Sequence, residues 1–304
     1  MTNKLPFEAI AIIGAGTMGA EISLRSAEHG YSVCVYDVSR EAIARTRDEH
    51  LDVTEARQRS GRITAREARA ILERIRYTTD LSSSCANAAL VIEAVPEVLA
   101  LKRQVFAELD RLCPPETILA TNSSSLRVAL MEDATQRLDK VLNLHFFLPV
   151  REAPMVEIMG GTQTSSETVD LARRYAIAAG LTPLLVREQS TGFLFNRVWR
   201  AIKKECLRVV DQGIASFEDI DRAWMIMYDT PRGPFGQMDA IGLDVVRDIE
   251  LVYYGESGDP SDRPPQILLD KIARGELGIK TAKGFYAYPH PLYEDPNWLR
   301  GARD

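Results

Sequence analysis

Of the four histidines in the 304-residue chain, one stands where chemistry is expected. His29 and His50 fall in helical stretches with polar neighbours, and His290 lies between two prolines near the end. His145 follows the apolar run Val141–Leu144, which reads as a β-strand, and is itself followed by Phe146, Phe147, Leu148 and Pro149. Twelve residues later, Glu157 sits in Met155–Met159 with apolar residues on both sides. A carboxylate on a buried strand is costly unless it is paired. A histidine partner would remove that cost and hold the imidazole ready to take a proton from an alcohol. Two plainer readings stand beside this one: a structural histidine, and a Glu157 that faces water from an edge strand.

Other polar groups fall near the same kind of strand end. Thr121, Asn122, Ser123, Ser124 and Ser125 follow the apolar run Thr117–Ala120. Hydroxyl and amide groups there suit hydrogen bonds to a nicotinamide or a substrate oxygen, although a serine run is equally what a helix N-cap looks like. Asn196, amid Gly192–Arg197, is an amide among apolar residues and needs partners, either a substrate or a structural network. Cys34, Cys85, Cys113 and Cys206 are far apart with no C-x-x-C, so neither a disulfide framework nor a zinc site is expected.

These groups need a frame, and Ala9–Asp37 provides it. Ile10–Ile13 is a short apolar run ending in Gly14-Ala15-Gly16-Thr17-Met18-Gly19. A helical pattern follows, stops at Gly30, and gives way to a second run, Val33–Tyr36. Gly14 permits a tight turn, Gly16 lets backbone approach a pyrophosphate, and Gly19 lets the helix pack on the strand. Thr17 and Met18 open that helix, whose N–H groups and dipole favour phosphate. Asp37 ends the second strand, 18 residues after Gly19. An acid there accepts from ribose hydroxyls and repels a 2′-phosphate, so NAD is expected rather than NADP.

From Ser39 to Arg76 the pattern is helical, broken at residues 59–62, with Thr64 and Glu67 forming a capping box. An antiparallel helical hairpin is expected here. It carries ten arginines against seven acids, while the whole chain has a net charge of −6. Arginine forks suit phosphate groups, and charged helices also simply face water. Apolar runs then resume at 89–93, 117–120, 141–144, 155–159 and 184–186, with helices at 97–112 and 166–179 between them. Strands separated by helices predict an α/β fold with a Rossmann-type, doubly wound, mostly parallel sheet. From Ser190 helical periodicity takes over: one helix near 190–213, one from Ser216, and one near 236–254. The expected domains are therefore 1–188 for the nucleotide and 189–304, all-helical, for substrate and dimerisation. Residues 255–265, rich in Gly, Asp and Pro, read as a solvated, mobile loop. The acidic balance argues against nucleic acid. No apolar run approaches 18 residues and no signal-peptide pattern opens the chain, so a cytoplasmic protein without a membrane partner is expected.

Taken together, the blocks GAGTMG, Asp37, IEAVPE, TNSSSL, HFF-x-P with MVEIM, TGFLFNR, RGPFGQMDAIGLD and GIKTAKGFYAY are far more specific than any one of them. On these the chain resembles the L-3-hydroxyacyl-CoA dehydrogenase family over nearly its full length. The resemblance implies NAD-dependent oxidation of an L-3-hydroxyacyl-CoA, of short chain, to the 3-oxo compound. It implies that His145 is the general base, that Glu157 supports it, and that Ser124 and Asn196 hydrogen-bond the reacting oxygen or thioester. Glu97, Lys102 and Asn122 join the glycine loop and Asp37 in holding the cofactor, Glu97 and Lys102 at its nicotinamide end. The arginine-bearing hairpin would meet the CoA phosphates, and the helical domain would form a homodimer. Three departures bear on substrate: Leu148 stands where the family has Asn, Gly236 where it has an acid, and Ala282 where it has glycine. Residues 225–232 also depart from the usual glycine-rich form. The alternatives they keep open are a same-fold dehydrogenase of a free hydroxy acid or carrier-bound group, as in the gulonate and lambda-crystallin branch, and a non-catalytic homologue.

Overall fold

Alternation along the first strand sets the layers. Within Ala9–Ile13, Ile10 and Ile12 enter one core while Ala11 and Ile13 enter the opposite one. A strand buried on both faces reads as a continuous apolar run. The computed structural model describes residues 5–301 and divides into a first unit ending at Leu194 and a second beginning at Phe195, beyond the 188/189 boundary expected from sequence.

The first unit holds eight strands: β1 (Ala9–Ile13), β2 (Ser32–Tyr36), β3 (Ile75–Thr78), β4 (Leu90–Glu93), β5 (Ile118–Thr121), β6 (Val141–Phe146), β7 (Met155–Gly160) and β8 (Thr182–Val186). Their order in the sheet is β3-β2-β1-β4-β5-β6-β7-β8. All neighbours are parallel except β6 and β7. The chain turns outward in both directions from β1 and β4, which is the switch point where doubly wound sheets bind ligands. Helices α1 (Thr17–Glu28), α2 (Arg40–Arg59), α3 (Ala65–Glu73), α4 (Leu81–Cys85), α5 (Leu99–Leu112) and α6 (Ser166–Ala178) make the crossovers.

The hairpin is present as α2 and α3. Ser39 caps α2 by accepting from the Ala42 N–H, and Thr64 with Glu67 forms the full capping box of α3. One expectation in this region needs correcting. The helical reading ran on to Arg76, but Ile75–Thr78 is the edge strand β3. Ile71 and Ile75 continue the helical period, and a four-residue edge strand bearing Arg76 gives little competing signal. His50 lies in a helix with polar neighbours, as expected, and is 1% exposed. Its Nε2 meets the Ala20 carbonyl at 2.9 Å and its Nδ1 the Tyr77 hydroxyl at 2.7 Å. Burial pushes the imidazole down to about 4.

The second unit comprises α7 (Phe195–Asp211), α8 (Phe217–Tyr228), α9 (Pro234–Ile241), α10 (Leu243–Ser257), α11 (Gln266–Ala273) and α12 (Pro296–Leu299) around its own aromatic core. α7 starts later than the pattern suggested because Gly192 and Phe193 both take positive φ, 72° and 54°. The helix expected over 236–254 is two helices broken at Gly242, whose φ of 102° no helix accommodates. Residues 255–261 are exposed, as expected, although the stretch begins within α10 and is anchored at Asp262. Asp262 is 9% exposed and accepts from Lys204 Nζ at 2.6 Å, Arg200 Nη2 at 2.7 Å and Ser257 Oγ at 2.6 Å. Those donors, Lys204 foremost, hold its carboxyl far below the usual range. Among the described residues no helix is long and apolar enough to cross a membrane, and no group of three or more His, Cys, Asp or Glu side chains is placed to hold a metal.

Candidate active site

The glycines show what the first βα turn is shaped for. A Cβ on Gly14 would lie 2.6 Å from the Ala94 carbonyl oxygen, and one on Gly19 would overlap the Gly14 carbonyl. Both are required by close backbone packing. Gly16 has nothing within 4 Å of its Cβ position, so it faces open space at the N-terminus of α1. No side chain caps that terminus, which leaves its N–H groups for an anion. Thr17 and Met18 form the first helical residues and line the same cleft. Asp37 is fixed beside it, Oδ2 accepting from Ala15 N at 2.8 Å and Oδ1 from Ser39 N at 2.9 Å. The cleft has a volume of about 1000 Å³, at the upper end for small-molecule sites. The residues present fit a dinucleotide.

A second cleft continues from the first, sharing Met18, Ala94 and Val95 with it, and is lined by Glu97, Asn122, Ser124 and His145. His145 is inside β6 rather than after it, one residue from its end. Because β6 and β7 are antiparallel, His145 stands directly opposite Glu157. His145 Nδ1 and Glu157 Oε2 are 2.8 Å apart, and Leu194 N donates to Glu157 Oε1 at 3.0 Å. Glu157 is fully buried in an interior strand, not exposed on an edge. A carboxylate accepting from Nδ1–H leaves Nε2 as the basic nitrogen. Phe147 and Phe193 close on the imidazole, with ring centroids 4.4 and 5.2 Å away. Phe193 reaches it from a left-handed backbone that non-glycine residues rarely adopt.

Behind this cleft runs a row of buried charge that sequence reasoning only partly found. Lys102 is 1% exposed, donates to Glu93 Oε1 at 2.7 Å and the Val95 carbonyl at 3.3 Å, and forms an ion pair with Glu97 Oε2 at 3.2 Å. Glu93 also accepts from Thr121 Oγ1 at 2.6 Å. Burial alone would raise the Glu97 carboxyl, but the Ser123 and Ser125 hydroxyls and Lys102 outweigh it and hold the carboxyl low. Asn122 turns its Oδ1 onto the Phe146 N–H at 3.0 Å, tying the serine turn to the end of β6. Glu93 and Thr121 were missed as site supports; an acid ending one apolar strand beside a hydroxyl ending the next was the available signal. Asn196 belongs to the second unit, in the first turn of α7.

Comparison with known proteins fits this geometry. The NAD-binding domain of 3-hydroxyacyl-CoA dehydrogenase matches residues 9–189, and the C-terminal domain of the same enzymes matches residues 192–288. The chain belongs to the 3-hydroxyacyl-CoA dehydrogenase family. Like its relatives, it is an NAD-dependent oxidoreductase. It is 35% identical to a probable 3-hydroxybutyryl-CoA dehydrogenase of Bacillus subtilis, over 93% of this chain and 98% of that one. It is 31% identical to 5-formyl-3-hydroxy-2-methylpyridine 4-carboxylate 5-dehydrogenase of Mesorhizobium japonicum, covering 92% and 90% of the two chains. The crystal structure of (S)-3-hydroxybutyryl-CoA dehydrogenase from Ralstonia eutropha superposes with a TM-score of 0.88 at 31% identity, covering 93% of this chain and all of that one.

Proposed function

We propose that this dehydrogenase oxidises the 3-hydroxyl of a short L-3-hydroxyacyl-CoA, with 3-hydroxybutyryl-CoA as the representative substrate, and that His145 is the base. The observation that carries the reading is the buried His145–Glu157 pair, set at the end of the cleft that begins at Gly16 and Asp37. NAD, when bound, takes the hydride from the carbon that bears the hydroxyl. Nε2 of His145 takes the hydroxyl proton, and Glu157 balances the imidazolium that forms. Phe147 and Phe193 shield the pair from water, which strengthens that attraction.

The hydroxyl of Ser124 and the amide of Asn196 hydrogen-bond the reacting oxygen or the thioester, as the family resemblance implies. With its Oδ1 engaged on Phe146, Asn122 presents its NH₂ to the cofactor. Glu97 and Lys102 shape the nicotinamide end. Exposed arginines of the α2–α3 hairpin meet the CoA phosphates, and the second unit dimerises, the exposed Ile226 and Met227 of α8 favouring a partner surface.

One observation favours a second reading. Leu148 is 49% exposed two residues past the end of β6, where the family's Asn would offer hydrogen bonds and this side chain offers none. A dehydrogenase of a free or differently activated hydroxy compound fits that change. The deciding experiment is NADH formation from L-3-hydroxybutyryl-CoA against free 3-hydroxybutyrate, with His145→Ala as control. Turnover on the thioester alone, lost in the variant, is the expected result. Turnover on the free acid alone would overturn the thioester, and full activity in His145→Ala would overturn the base.

A further inference from the structure

The serine turn beyond β5 is tied down on both sides of Ser124. Ser123 Oγ donates to Glu97 Oε1, and Ser125 reaches the same oxygen with its hydroxyl at 2.7 Å and its N–H at 3.3 Å. Ser123 Oγ in turn accepts from Leu126 N at 2.7 Å, while Ser123 N donates to Thr121 Oγ1 at 3.2 Å. Thr121 is anchored on Glu93, and Lys102 bridges Glu93 and Glu97 from within the protein. Asn143 of β6 secures the far side of the turn, accepting from Val128 N at 2.7 Å and donating to the Leu126 carbonyl at 3.0 Å. Ser124 alone of the three serines makes no side-chain hydrogen bond among the described residues. It lines the cleft that His145 lines.

We infer that Glu97 is a positioning residue for Ser124: its carboxylate, charged and held by Lys102, gathers Ser123 and Ser125 so that the hydroxyl between them is presented to the substrate oxygen beside His145. This rests on the proposed oxidation with His145 as base. The Glu93–Lys102–Glu97 row supplies rigidity. A buried ammonium hydrogen-bonded to Glu93 and the Val95 carbonyl has little freedom, and the Glu97 carboxylate it pairs with has its other oxygen turned to the serines. A hydroxyl held within a few tenths of an ångström of its productive place loses catalytic effect steeply when its turn relaxes.

A double-mutant cycle with Glu97→Gln and Ser124→Ala tests this. Each single variant is expected to lower kcat about 10- to 100-fold, as loss of one oriented donor does, with KM changed far less. The double variant is expected to be no slower than the worse single one, because both changes remove the same hydroxyl from the reaction. Binding of NADH, followed by its fluorescence, should stay within about threefold in Glu97→Gln. Multiplicative losses in the double variant, or a large rise in the NADH dissociation constant with kcat intact, would overturn the inference and leave Glu97 acting on the cofactor alone. Should Glu97→Gln fail to fold, Ser123→Ala with Ser125→Ala leaves the charge row whole and must show the same fall in kcat; unchanged kcat there overturns the inference. Activity surviving in His145→Ala marks instead a failure of the underlying function.

Discussion

The two units hold their central carboxylates differently. In the first, Glu157, Glu93 and Glu97 pair with side chains on other elements, and the pairs lie along clefts. In the second, Asp221 and Asp239 are instead held by backbone N–H groups and tyrosine hydroxyls. Asp221 accepts from Phe235 N and Gly236 N at 2.8 and 2.9 Å and from the Tyr286 hydroxyl at 3.0 Å. Asp239 accepts from Phe285 N and Tyr286 N, both at 2.9 Å, and from the Tyr288 hydroxyl at 3.0 Å. A Cβ on Gly233 would lie 2.5 Å from Asp221, and one on Gly284 would overlap Asp239. The blocks RGPFGQMDAIGLD and GIKTAKGFYAY, distinctive as they are, therefore encode a clamp that folds the helical unit. GAGTMG and HFF with VEI encode a place for chemistry.

The largest effects should separate the units by readout. Glu157→Gln is expected to cut turnover by about 10²-fold or more through loss of the imidazolium's counter-charge, while leaving NADH binding nearly unchanged; turnover within threefold of the parent would break the comparison. Asp239→Ala should do the reverse. It leaves two buried N–H groups and a tyrosine hydroxyl without an acceptor, and a loss of about 3 kcal/mol or more in denaturant unfolding is expected.

A pH series sharpens the contrast because the signs differ. The His50 imidazole lies below its unfolded value of 6.5, near 4, so the stability it lends the first unit is full above pH 6.5 and is lost as pH falls toward 4. Burial pushes Asp221 up to about 6 from 3.8, so its contribution is full below pH 3.8 and lost as pH rises through 6. Each amounts to about 3 kcal/mol at most. His50→Gln should therefore flatten the acid-side loss of stability in the first unit, and Asp221→Asn the gain on acidification in the second, both followed by Tm between pH 4 and 7. Slopes unchanged from the parent would refute the assignments.

The smallest effect concerns Ala282, which has a φ of 57° where the family's glycine would sit without strain. Ala282→Gly should stabilise the second unit by about 1 kcal/mol; a lower Tm would show that the strain is relieved some other way.

How much of this was legible in the sequence follows from the range over which each signal acts. The glycine turn, Asp37, the capping box at Thr64 and the doubly wound class rest on neighbours in the chain, and they were readable. The pairing of His145 with Glu157 was anticipated from chemistry, yet the antiparallel register that makes it was not, since residues 147–154 carry no mark of strand direction. The burial of His50, the charge row behind Ser124 and the anchoring of Asp262 by Arg200 and Lys204 all depend on partners from distant segments. Composition reads such residues as surface polarity because only the fold removes them from water. Gly236 reads from sequence as a departure bearing on substrate, yet a Cβ there would come within 2.9 Å of the Tyr293 ring, so an acid would not fit this packing.

The reversal of direction between β6 and β7 also governs how the enzyme can diversify. In a strand pair, a shift of one residue turns every side chain to the other face, so the His145–Glu157 alignment tolerates no slippage. The segment that joins the two strands is constrained at particular residues instead: Phe147 packs on His145, and Val150 is buried with its N–H donating to Glu21 Oε2 at 3.0 Å. Leu148 lies in that segment. On the proposed function, replacement of the exposed Leu148 would alter substrate preference while the His145–Glu157 pairing stays in place, which makes that position an entry point for directed evolution.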